Sequence, residues 1–191
     1  MNLTPFVKYT LAFISGVACF GVFASFGEFA SPWGEPDTIL VALGLYGMSG
    51  LLFTLGVLLP YLRRDRWILV RGFSLVAVST LSYRCAAYVV HALSGSAEVP
   101  TVVDLIAASS VGALIVILGA KLVIPLNHPR QLVVSGSVAA VLGGLAFSAT
   151  PLFLATPLFH SGVVLAYGAW HMLMAAAIHF SESRDGSAQT N

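Results

Sequence analysis

Long apolar runs alternate with short polar breaks along the whole chain. The runs fall at 6–27, 38–60, 67–92, 103–125, 131–150 and 157–180, and each reaches the roughly 20 residues that a helix needs to cross a bilayer. The breaks have turn chemistry: Ser31-Pro32-Trp33-Gly34-Glu35-Pro36-Asp37, Arg63-Arg64-Asp65-Arg66, Ser94-Gly95-Ser96-Ala97-Glu98, Asn127-His128-Pro129-Arg130, and a link from Thr150-Pro151 to Pro157. None is long enough to fold by itself. The pattern predicts an all-α integral membrane protein: a six-transmembrane-helix bundle with short loops over residues 1–180. Residues 181–191 are polar and aperiodic and read as a disordered cytoplasmic tail.

Composition agrees. Of 191 residues, 58% are hydrophobic and 9% charged, whereas soluble domains carry about 25% charged residues. The net charge of +1 gives no basic surface for nucleic acid. Cys19 and Cys85 both lie inside apolar runs and form no CxxC or Cys/His spacing. Gly16-Val17-Ala18-Cys19 resembles a lipoprotein signal, but the apolar run continues to Phe26, so the first run reads as an uncleaved spanning helix.

Placing the breaks on alternate sides puts Lys8, Arg63, Arg64, Arg66, Arg71, Lys121, Arg130 and Arg184 on one side. Glu28, Glu35, Asp37, Glu98 and Asp104 fall on the other, which has no Lys or Arg. By the positive-inside rule both termini are expected in the cytoplasm, in a multi-pass protein of the plasma (inner) membrane. Asp37-Thr38 and Asp104 stand where helix starts want an acceptor or a negative charge. Trp33, Tyr61 and Trp67 suit the membrane interfaces.

Small residues recur at helical spacing in three runs: Gly44, Gly47 and Gly50; Ala108 and Gly112; Gly136, Ala140 and Gly144. In lipid such faces let backbones approach, so these three helices are expected to make the tight contacts. The two halves of the chain share only the glycine-rich second and fifth runs, so no internal repeat is expected.

The chemistry rests on a few polar residues at membrane depth. Arg84 lies about 17 residues into the third run, some 25 Å along at roughly 1.5 Å per residue, and a mid-helix Arg costs about 2.5–3.5 kcal/mol to insert. Arg84, Tyr88 and His91 stand at i, i+4 and i+7 and share one face. On the last run His160, Tyr167 and His171 stand at i, i+7 and i+11 and form a second stripe, with His171 near mid-depth. If the stripes face one another, these six residues line an outward-opening pocket, with Glu28 and Asp104 near its rim. Arg84 supplies charge there, and the tyrosines and histidines supply hydrogen bonds, for a small polar or anionic solute that is bound or passed.

Two other classes compete with that expectation. An accessory subunit would use the same network only to tie helices together, and its small-residue faces to meet a membrane-protein partner or a second copy of the chain. A haem or metal protein would use His91 with His160 as its one depth-matched outer pair, although no cofactor is assigned. His128 and His179 lie near the inner surface and receive no role. For an enzyme, no Asp or Glu sits at mid-membrane depth. Trp170-His171 with Leu173 and Ala175 resembles the last helix of the membrane hydrolase superfamily of alkaline ceramidases and progestin-receptor-like proteins. That resemblance implies a zinc amide hydrolase with His91, Asp104 and His171 as participants. It covers about ten residues, and the sequence departs from the pattern: Tyr167 replaces the first His, the earlier Ser and His pair is missing, and there are six runs in place of seven. No membership is assigned on it.

Overall fold

A computed structural model describes residues 4–26, 39–61, 67–94, 100–124, 128–149 and 159–181. They form α1 (Pro5–Phe26), α2 (Ile39–Ala42), α3 (Met48–Phe53), α4 (Ile68–Ser94), α5 (Val102–Val123), α6 (Pro129–Ser148) and α7 (Phe159–Ser181). Among the described residues there is no strand. Six helical stretches among these residues are long and apolar enough to cross a membrane. Phe6, Phe73 and Leu122 are among many large apolar side chains left exposed on the outside of the bundle. In water so much exposed apolar surface would aggregate; in lipid it is the expected lining. These are the features of a multi-pass membrane protein.

The second span, residues 39–61, is not a plain α-helix. Widened π-helical turns at Leu43–Gly47 and Thr54–Leu58 flank α3, and a 3-10 turn at Leu59–Tyr61 ends the span. Two causes are local. Gly44, Gly47, Gly50 and Gly56 weaken the helix's own preference, and Pro60 has no N–H to continue the ladder. Elsewhere the ends follow ordinary capping chemistry. Thr101 Oγ1 accepts from the Asp104 N–H at 3.3 Å, and Asp104 Oδ2 accepts from the Thr101 N–H at 2.8 Å, a reciprocal cap that starts α5. Pro129 opens α6 at the one position where a missing N–H is harmless.

The spans form a closed ring in chain order, each antiparallel to its neighbours. Cys19 meets Ser49 while Gly56 meets Ser15, which sets the second span antiparallel to α1. Gly50 lies against the Thr80 backbone, where an added Cβ would stand 2.6 Å from the Thr80 nitrogen. Ser82 Oγ donates to the Gly112 carbonyl at 2.9 Å, joining α4 to α5. A Cβ on Gly144 would stand 2.6 Å from Ile106 Cα, and Ser135 Oγ donates to the Ala177 carbonyl at 3.2 Å, so α6 bridges α5 and α7. The ring closes where Gly16 of α1 crosses Gly168 of α7, with a would-be Gly16 Cβ 2.7 Å from Gly168 Cα.

Close helix approach therefore uses Gly50, Gly112, Gly136 and Gly144, as their spacing predicts. Gly47, however, faces open space, and the Gly16/Gly168 crossing was not expected from the three small-residue runs. The difference is physical: one glycine on each of two helices suffices for a close crossing, without a repeated small-residue face on either.

Candidate functional site

In a six-membered ring of helices the third and sixth spans are opposite one another, and they meet only through what fills the middle. The middle at mid-depth is aromatic. Phe53 of α3 packs at 5.3 Å from Trp170 and 4.8 Å from His171 of α7, and Tyr83 of α4 at 5.9 Å from Trp170. His171 has no exposed surface, so both of its ring nitrogens need partners. Ser15 Oγ of α1 lies 2.8 Å from Nδ1, and Tyr83 Oη lies 2.5 Å from Nε2.

Two arrangements of hydrogens satisfy both nitrogens: Ser15 donates to the Ala12 carbonyl at 2.8 Å and accepts from Nδ1–H while Tyr83 donates to Nε2, or Nε2–H donates to Tyr83, which donates to Cys19, while Ser15 donates to Nδ1. The imidazole is neutral, with both nitrogens satisfied. Cys19 Sγ lies 3.6 Å from Tyr83 Oη and 3.6 Å from the Ser49 carbonyl oxygen, extending the cluster to the second span. One polar cluster thus joins α1, α3, α4 and α7 at the depth where unsatisfied polar atoms cost most.

Above this plug, toward the end of the ring where α1 and α4 finish and α5 begins, lies a cavity of about 110 Å³. Phe23, Ala86, Ala87, Val90, Leu105, Ala108 and Phe147 give it an apolar wall, and Tyr83, Tyr167, Ser82, Ser109, Gly112 and Trp170 complete the lining. Ser82 is already bonded to Gly112. Ser109 Oγ and Trp170 Nε1 are buried and have no hydrogen-bond partner among the described residues.

The six residues singled out by spacing distribute as follows. His171 lies in the central cluster, and Tyr167 lines the cavity, its ring 5.3 Å from Phe23 and 5.0 Å from Phe147. Tyr88 is 59% exposed and His91 is exposed, both on the outside of the ring. Arg84 is half-buried on the flank of α4, its guanidinium carbon 5.5 Å from the centroid of the Tyr46 ring, and it does not line the cavity. The side chain of His160 and the whole of Glu28 lie outside the described residues. The two stripes thus do not face one another. The face of α4 turned inward is Ser79, Tyr83, Ala86, Ala87 and Val90, rotated by about one residue, or 100°, from the Arg84 stripe. Near the end of a spanning helix a Tyr or His on the outer face can reach the membrane surface with its polar end, which removes the need to face inward.

Asp104 is occupied in capping α5, where Ser94 Oγ also donates to it at 3.3 Å. His91, Asp104 and His171 do not converge, and among the described residues no three metal-binding groups come together. Those residues therefore do not assemble the zinc site that the hydrolase resemblance implies. His171 offers no free nitrogen to a haem iron either. At the opposite end of the ring Lys8 Nζ sits 4.1 Å over the Tyr61 ring, and Tyr61 Oη donates to the Ala175 carbonyl at 3.0 Å. His179 packs edge-on to Tyr9 at 5.9 Å.

Ser15, Tyr83 and Ser109 were not singled out from the sequence, and Trp170 stood out there only as the neighbour of His171 in the hydrolase-like stretch. Tyr83 had a signal in the period-of-four series Ser79, Tyr83 and Ala87. Ser15 and Ser109 had none, because serines in spanning helices commonly bond back to their own backbone. No family model, no curated protein and no solved structure matches this chain.

Proposed function

We propose that this protein binds a small, uncharged solute inside the membrane, in the cavity at the α1/α4/α5 end of its helix ring. The observation that carries the reading is that cavity of about 110 Å³, walled by five spans and closed underneath by Phe53, Tyr83, Trp170 and His171. Bundle proteins build their ligand sites from side chains on facing helices, and an apolar hollow with a few placed polar atoms is the usual form. Since the plug fills the ring at mid-depth, binding is favoured over passage. Since Arg84 stands outside the lining, an uncharged solute is favoured over an anionic one.

The cavity end is extracytoplasmic in this reading, and both termini are cytoplasmic. Lys8, Arg71, Lys121 and Arg130 fall at the far end of the ring and Asp104 at the cavity end, in keeping with the positive-inside rule. The purified protein in lipid nanodiscs should be raised in melting temperature by some members of a panel of small uncharged compounds. Ala108→Leu, which fills the cavity from α5, should abolish that response. Equal responses in the wild type and the filled variant, or none in either, would refute the reading.

A second reading, an accessory subunit of a membrane complex, is favoured by one observation: the Ser15–His171–Tyr83 cluster is complete without a ligand. Copurification of a stoichiometric membrane partner, with no compound stabilising the chain alone, would select it.

A further inference from the structure

The surface that the cavity offers is set by what its polar residues already do. Ser82 Oγ and the Gly112 carbonyl are engaged with one another at 2.9 Å. Tyr83 Oη is shared between His171 Nε2 and Cys19 Sγ in the central cluster. Trp170 Nε1 and Ser109 Oγ are buried atoms that lie beside Gly143, each 3.1 Å from the point that a Cβ there would occupy, and Gly143 does not belong to the lining. Tyr167 contributes a ring packed 5.0 Å from Phe147 and 5.3 Å from Phe23. The rest of the wall is hydrocarbon, with Ala86, Ala87 and Val90 on α4 and Leu105 and Ala108 on α5.

The chemistry of the occupant follows from what each alternative would leave unmet. A hydroxyl, amide or carbonyl brought against such a wall gives up the hydrogen bonds it made outside and gains none in return. A charged group fares worse, since the lining has no Lys, Arg, His, Asp or Glu to pair with it. A hydrocarbon has no polar atom to leave unmet. Its gain is contact, because an empty hollow deprives its wall atoms of neighbours on one side, and a molecule of matching size restores them. Phe147 stands edge-on to Tyr167 and Phe23 tilted against it, an arrangement that one more ring extends. The volume of about 110 Å³ is of the order that holds a single ring, an apolar hollow of about 150 Å³ staying dry and taking up benzene.

Resting on the solute-binding reading above and narrowing it, we propose that the cavity is a site for a free hydrocarbon of one-ring size, a molecule without any hydrogen-bonding group. It is held by contact alone, against Phe23, Phe147 and the alanines of α4 and α5. Such a molecule dissolves in the bilayer, so it reaches the helix ring from lipid.

The test uses the full chain in nanodiscs and three probes built on one six-membered ring: benzene, pyridine, which adds an acceptor at the same size, and phenol, which adds a hydroxyl. The readouts are magnetisation transfer from probe protons to the methyl groups of Ala86, Ala87 and Ala108, and the melting temperature. Benzene should contact these methyls and raise the melting temperature. Pyridine and phenol should bind at least about tenfold more weakly at equal free concentration, the effect of one unmet hydrogen bond. Ala108→Leu and Ala86→Leu fill the cavity from two walls, and whichever of them melts cooperatively should weaken benzene at least about tenfold. Tyr167→Phe should leave benzene unchanged. Pyridine or phenol binding as tightly as benzene, or a phenol affinity lost in Tyr167→Phe, would overturn the hydrocarbon assignment and leave solute binding standing. Benzene binding that survives both fillings would overturn the assignment to this cavity. A lipid chain as the occupant has its own signature. With Trp33 and Trp67 replaced by Phe, lipids brominated at their chain ends would quench Trp170, and Ala108→Leu would relieve the quenching. That result without probe binding, or failure of all three probes together with a silent compound panel, would overturn both readings.

Discussion

Tyr83→Phe removes a single hydroxyl from the centre of the ring and keeps the aromatic surface that packs on Phe53 and Trp170. What it strands is His171 Nε2, on an imidazole with no exposed surface. Interhelical hydrogen bonds in membranes average about 0.6 kcal/mol and reach about 1.7, because a polar group freed in the membrane-embedded unfolded state also finds partners. The stranded nitrogen has no such recourse while the protein stays folded, since Phe53, Trp170 and Tyr83 surround the ring. The expected loss is therefore at the upper end, about 1–2 kcal/mol. Reversible unfolding in mixed detergent and SDS measures it. Nitrogen chemical shifts of His171 test the cause, because the enclosed ring should be a single neutral tautomer whose Nε2 shift changes in Tyr83→Phe and whose Nδ1 shift changes in Ser15→Ala. A Tyr83→Phe protein as stable as the parent, with both shifts unmoved, would refute the bonds on which the cluster rests.

The glycines give a paired prediction: Gly144→Ala should destabilise by about 1–3 kcal/mol because its Cβ meets the Ile106 backbone. Gly21→Ala, which meets nothing within 4 Å, should be neutral or stabilise by up to about 1 kcal/mol through helix preference; similar unfolding energies for the two would contradict the ring packing. Thr101→Ala should cost about 1 kcal/mol by opening the cap on α5, and increased amide exchange confined to the first turn of that helix would locate the loss. Reporter fusions at both termini should be active only in the cytoplasm; a periplasmic or luminal signal from either end would invert the orientation derived from the basic residues.

Much of this architecture can be read from residues 1–180 alone, and the reason is that hydropathy is a one-dimensional property. A run such as 103–125 must hide its backbone in a helix if it enters lipid, whatever its neighbours are, and Thr101 and Asp104 cap it through contacts three residues apart. Gly50 and Gly144 announce close packing because lipid supplies no other reason for a bare helix face. Charge placement works the same way, since Lys8, Arg71, Lys121 and Arg130 need only a count of crossings to fall at one end.

Which face of each helix turns inward was decided by the tertiary structure. On α4 the sequence offers two faces, Arg84–Tyr88–His91 and Ser79–Tyr83–Ala87, separated by one residue. The default that membrane-depth polar groups face the interior points to the first, and the fold uses the second. Near the end of a spanning helix a polar tip can reach the interface from outside, so Tyr88 and His91 carry little penalty there. His171, at mid-depth, has no such exit and had to be enclosed, yet nothing local to α7 names its partners, which come from α1 and α4. The cavity beside it exists only because five helices, brought together by glycine crossings far apart in the chain, leave a gap that none of their sequences encodes alone.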